Sequence, residues 1–129
     1  MHRRAIILIS RVSLFVIYFW FGLLKVLGTS PANPLVEKLL ERTLPFLTFD
    51  QFIVGLGVFE MAIGFLFLTG LFHRITLLLF TVHMVTTFMP LFLLMPVTWA
   101  SPWVPTLEGQ YIIKNIALIA LVLNIYKRL

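Results

Sequence analysis

Four apolar runs, at residues 11–28, 52–72, 75–94 and 110–127, take up most of this chain. Each is close to the roughly 20 residues that an α-helix needs to cross a hydrocarbon layer about 30 Å thick. With no water to satisfy them there, backbone N–H and C=O groups must pair within each segment, so the runs are expected to be helices packed side by side. The residues are 60% hydrophobic and only 12% charged, against about 25% charged in soluble domains. The fold class is therefore read as all-α: an integral membrane four-helix bundle, one domain over residues 1–129, with no room for a separate soluble catalytic module. The net charge of +5 comes from Lys and Arg at the ends of the runs, which points to topology and contact with the lipid bilayer rather than to nucleic acid. The absence of cysteine excludes a disulfide framework, dithiol exchange and thiolate metal ligation by this chain.

The chain opens with His2-Arg3-Arg4 and a short apolar stretch, which has the start of a signal peptide. Arg11 interrupts it and no small-x-small cleavage site follows, so the segment is read as leading into the first span. Arg11, Tyr18 and Lys25 recur every seven residues and share a helical stripe with Gly22 beside it. At 1.5 Å per residue, Arg11 and Lys25 stand about 21 Å apart along the axis. Either both snorkel, one to each interface, or Lys25 turns inward to a carboxylate. Residues 28–34 read as loop. Residues 35–44 place Leu35, Val36, Leu39 and Leu40 opposite Glu37, Lys38, Glu41 and Arg42, the pattern of a short amphipathic helix on the membrane surface or capping the bundle.

Asp50 is placed to cap the second span, in which Gly57, Glu60 and Gly64 fall on one face. Small residues around a carboxylate let a second helix approach and hide the charge from lipid. Glu60 lies near mid-depth, where it serves either as half of an ion pair or as a protonatable, ligand-binding group. After the cationic turn His73-Arg74, the third span carries a polar stripe of Thr76, His83, Thr86, Thr87 and Pro90; the proline is expected to kink or end the helix. For His83 the readings are a hydrogen-bonded packing residue, a proton carrier or a donor to a ligand carbonyl. No His-x-x-x-His pair, Glu-x-x-His pair or acidic cluster supports a metal. Trp99 and Trp103 lie among prolines in residues 96–105, an interfacial loop by composition. Glu108, Gln110, Lys114 and Asn115 then lead straight into the last apolar run. An intramembrane charge costs about 2.5–3.5 kcal/mol on insertion scales and usually has a partner and a use. At the far end Lys127 and Arg128 are expected to snorkel.

Arg3, Arg4, Arg74, Lys127 and Arg128 fall on one side of this topology, while Lys38 and Arg42 on the other are opposed by Glu37, Glu41 and Asp50. The positive-inside rule puts both termini in the cytoplasm. Lys25, Glu60, His83, Thr87, Glu108, Gln110, Lys114 and Asn115 are then expected to converge on the outer half of the bundle as a ligand pocket, with two carboxylates facing two ammonium groups. The inner half is left to Leu, Ile, Phe and Val, apart from Thr and Ser.

These residues carry a resemblance. Arg11-Val-Ser-Leu-Phe-Val-Ile-Tyr-Phe-Trp-Phe-Gly-Leu-Leu-Lys25, Leu56-Gly-x-x-Glu60-x-x-x-Gly64, Thr86-Thr87 with Pro90-Leu91, Trp103-Val-Pro105 and Lys114 together resemble the DoxX-like superfamily of small four-helix bacterial membrane proteins. The nearest branch contains the inner-membrane protein of reactive-chlorine resistance. The resemblance spans nearly the whole chain. It implies a bacterial inner-membrane location and a redox or oxidative-stress role, with a quinone as the cofactor or ligand and the chain, if it takes part in catalysis, as the membrane subunit of an oxidoreductase. Three function classes follow: a pocket for a quinone or similar lipid-soluble molecule, a scaffold subunit recruiting a partner oxidoreductase, and a small transporter or channel built by homo-oligomerisation. No nucleophile–base pair, nucleotide loop or haem-attachment motif is present, which leaves at most a noncovalent haem on His83.

Overall fold

The structure, a computed structural model, describes residues 2–127. Helix α1 (Arg3–Val26) is followed by the short α2 (Asn33–Thr43), by α3 (Phe49–Thr69) and by α4 (His73–Phe88). Two single-turn helices, α5 (Pro90–Leu93) and α6 (Met95–Thr98), lead to a hairpin of β1 (Trp99–Ser101) and β2 (Val104–Pro105). The chain ends in α7 (Leu107–Ile113) and α8 (Asn115–Ile125), parted by one turn residue at Lys114. Four segments, Arg3–Val26, Phe49–Thr69, His73–Leu93 and Leu107–Ile125, are long and apolar enough to cross a membrane.

The span boundaries differ from the sequence reading, each for a local reason. Helix α1 begins eight residues before Arg11, because Arg interrupts hydropathy without opposing helix formation. Helix α3 stops at Thr69 although Leu71 and Phe72 continue the apolar run: Gly70 takes the left-handed conformation at φ 71°, the usual helix stop. The start of α3 is Thr48 as cap with Asp50 inside the first turn, where its carboxylate meets the positive end of the helix. Pro90 ends regular α4 at Phe88, since it offers no N–H to the carbonyl four residues earlier. Residues 96–105 are not a plain loop; they close into the hairpin, with Trp103 at φ 67° in its turn. Trp99 anchors it by donating from Nε1 to the Leu91 carbonyl at 3.0 Å.

Helices α1 and α3 form the closest pair in the molecule, because Gly22 and Gly57 face each other across it. A Cβ built on either would lie 2.5 Å from the other's carbonyl oxygen, so only glycine lets the backbones meet. The apolar core occupies the end near the chain termini, where Leu14, Tyr18, Ile63, Phe67, Phe80, Met84, Val122 and Tyr126 are buried together. At the other end α2 packs on α3 and α5, and α6 packs on α7.

Candidate functional site

The seven-residue stripe of α1 faces α3. Tyr18, Gly22 and Lys25 are all buried, and Glu60 of α3 meets them. Lys25 does turn inward: its Nζ lies 2.9 Å from Glu60 Oε1, with the two residues only 6% and 4% exposed. The close approach of α1 and α3 makes this reach short. Glu60 Oε2 lies 3.0 Å from His83 Nε2 on α4, and His83 Nδ1 lies 3.0 Å from the Tyr18 hydroxyl. One chain of contacts therefore runs Lys25, Glu60, His83, Tyr18 across three helices.

The hydrogen-bond roles in this chain follow from chemistry. A carboxylate only accepts, so in the neutral imidazole the proton sits on Nε2 and is donated to Glu60. Nδ1 is then the acceptor for the Tyr18 O–H. The Thr87 hydroxyl, 3.5 Å from Nδ1, donates instead to the His83 carbonyl at 2.8 Å. One ammonium and one carboxylate cancel, which is the condition for holding charge in a low-dielectric interior.

Beside this chain lies a cavity of about 860 Å³, lined by Tyr18, Lys25, Glu60, His83 and Thr87 together with Tyr111, Lys114 and Asn115. Apolar lining comes from Phe21, Phe52 and Phe59, and from Leu35, Val36 and Leu39 of α2. Exposed Leu47, Gln51 and Gly55 also contribute, so the cavity opens at the surface. Lys114 is exposed, its Nζ 5.3 Å from the Tyr111 ring centroid in a cation–π contact. Asn115 donates from Nδ2 to the Ile112 carbonyl at 3.1 Å, next to the turn that parts α7 from α8.

Of the eight residues expected to converge, Lys25, Glu60, His83, Thr87, Lys114 and Asn115 line the cavity, whereas Glu108 and Gln110 do not. Both are exposed on α7. Glu108 sits in the first turn, where a carboxylate complements the helix dipole, and Gln110 reaches back to the Pro105 carbonyl at 3.4 Å. The expected balance of two carboxylates and two ammonium groups is thus corrected: Lys25 and Glu60 pair, and Lys114 has no carboxylate within ion-pair distance among the described residues.

Arg11 is a second correction. It does not snorkel but donates from one guanidinium nitrogen to the Phe67 carbonyl at 3.0 Å and the Tyr126 hydroxyl at 3.1 Å. Phe67 lies in the last turn of α3, whose carbonyls have no partner further along the helix, so Arg11 supplies one. Lys127 is exposed in the closing turn, and Arg128 lies outside the described residues. Tyr18 is the residue missed as a site member, although its seven-residue spacing from Lys25 was a usable signal. No group of three or more His, Asp or Glu side chains able to hold a metal occurs among the described residues. Comparison with protein-family models, with curated proteins and with solved structures finds no match.

Proposed function

We propose that this is a DoxX-like inner-membrane protein, a four-helix bundle with both termini cytoplasmic, whose cavity binds a quinone or similar lipid-soluble ring compound within a redox or oxidative-stress system. The observation that carries the proposal is the joint one of volume and lining. A cavity of about 860 Å³ is within the usual range for small-molecule sites, which are mostly apolar with a few placed polar groups. Here those groups are the Lys25–Glu60–His83–Tyr18 chain and Lys114. Phe21, Phe59 and Tyr111 add aromatic lining. The mostly apolar lining suits an occupant that is itself lipid-soluble.

A second reading has one observation in its favour. Lys25, Glu60 and His83 satisfy one another, as the buried charges of a scaffold subunit for a partner oxidoreductase would. Mass spectrometry of small molecules retained after purification in mild detergent separates the two, run on the wild type, Glu60→Gln and Lys114→Ala. A stoichiometric quinone in the wild type, lost from both variants, is the expected result. If nothing specific co-purifies and the variants only lose folded yield, the ligand reading fails and the scaffold reading stands.

A further inference from the structure

The direction of the hydrogen bonds decides what the inner wall of the cavity offers a ligand. Glu60 spends one oxygen on Lys25 and the other on His83 Nε2. His83 Nδ1 is left to accept from Tyr18, and the Tyr18 proton is thereby committed inward. What Tyr18 has left is a lone pair on its oxygen, which has no further partner among the described residues. Tyr18 itself lines the cavity. The Tyr18 oxygen is therefore an acceptor, matched to a ligand O–H and not to a ligand carbonyl.

We propose that Tyr18, His83 and Glu60 form a proton-accepting array, and that the cavity takes its ligand as an aromatic alcohol, a phenol or hydroquinone, and withdraws the hydroxyl proton. This rests on the ligand site proposed above and selects between the two redox forms of a quinone-class ligand. The step balances without an added reactant. The ligand O–H bond breaks and its proton goes to the Tyr18 oxygen; the original Tyr18 O–H bond breaks and that proton goes to His83 Nδ1. The products are an imidazolium, held between the Tyr18 oxygen and the Glu60 carboxylate, and a ligand oxyanion. No electrons move. The arrangement is that of a nucleophile–histidine–carboxylate array, with a tyrosine in the position that meets the ligand and a carboxylate waiting beside the ring that becomes charged.

The other groups facing His83 and the cavity suit the same polarity. On α1 the charged neighbour is Lys25, already paired with Glu60. On α4, Thr86 and Thr87 both donate to the His83 carbonyl at 2.8 Å and leave the ring alone. From α7 and the turn after it come Tyr111 and the Lys114 ammonium, a counter-charge for an oxyanion in the cavity.

The test uses an alkyl-substituted nitrophenol, whose anion absorbs visibly, and its methyl ether, which has no proton to give. Replacing His2 and His73 by Gln leaves His83 as the single histidine of three, so nitrogen-15 NMR of labelled histidine reports that ring alone. At a pH where the free nitrophenol is protonated, binding is expected to turn His83 from the Nε2–H tautomer into the imidazolium. The anion-to-phenol ratio of the bound probe should rise at least about tenfold, one pKa unit. The methyl ether should bind and leave His83 neutral, and His83→Gln should bind the nitrophenol without ionising it. Binding with His83 still neutral overturns the array, as does ionisation undiminished in His83→Gln, which would assign the effect to Lys114. Failure of both probes to bind overturns the ligand site itself.

Discussion

Removing the two charges of the central ion pair together is predicted to cost less than removing either one. In Lys25→Met the Glu60 carboxylate keeps only the His83 N–H, and orphaning one member of a buried pair costs about 3–5 kcal/mol. Glu60→Leu orphans Lys25 at a similar cost and also strips the acceptor from His83 Nε2, a further loss of about 1–3 kcal/mol for an unsatisfied buried donor. In the double variant Lys25→Met with Glu60→Leu neither charge remains, and only the His83 term of about 1–3 kcal/mol persists. The double variant should therefore be more stable than either single one. The assay is unfolding in mixed micelles by titration with a denaturing detergent, followed by circular dichroism for the wild type and the three variants, combined as a double-mutant cycle. Single losses that simply add in the double variant would refute the pairing.

Three further outcomes follow from the packing and the topology. Gly57→Ala should destabilise by about 1–3 kcal/mol, because its Cβ meets the Gly22 carbonyl, while Gly55→Ala, with open space around it, should be neutral or stabilising by about 0.5–1 kcal/mol in the same titration. Arg11→Leu should cost about 1.5–3 kcal/mol through loss of charged hydrogen bonds to Phe67 and Tyr126, and Arg11→Lys should recover much of it, since both bonds leave a single nitrogen, which an ammonium can replace. Because the chain has no cysteine, single cysteines can map orientation: Arg74→Cys should react with an impermeant thiol reagent only from the cytoplasmic side and Ser101→Cys only from the other.

Much of the site was legible because helical spacing is a strong constraint. Seven-residue repeats put Tyr18 and Lys25 on one face, and Gly57, Glu60 and Gly64 on another, so the meeting of α1 with α3 could be anticipated from the small residues alone. Two kinds of information were not available there. One is rotation of a helix about its own axis: Glu108 and Gln110 lie next to Lys114 in sequence, yet Gly109 and Ile112 are the residues that α7 buries. The other is competition among partners. Arg11 had a nearby interface to reach, and only three-dimensional placement shows that the last turn of α3 offers it an unpaired carbonyl. The α-helical spans were evident from hydropathy, but their ends were not, since Gly70 and Pro90 act through backbone geometry and not through polarity.

The pairing of Lys25 with Glu60 also bears on how the chain enters the bilayer. The two residues belong to consecutive spans, so a newly made α1 and α3 can leave the insertion machinery as one hairpin with their charges already neutralised. Delivered alone, α3 would carry Glu60 uncompensated near its middle, where a charge costs about 2.5–3.5 kcal/mol. His83 belongs to the span that arrives next and meets a carboxylate that is already in place. The glycine contact and the ion pair thus lie wholly within the first two spans, while the cavity beside them is completed by residues of later helices.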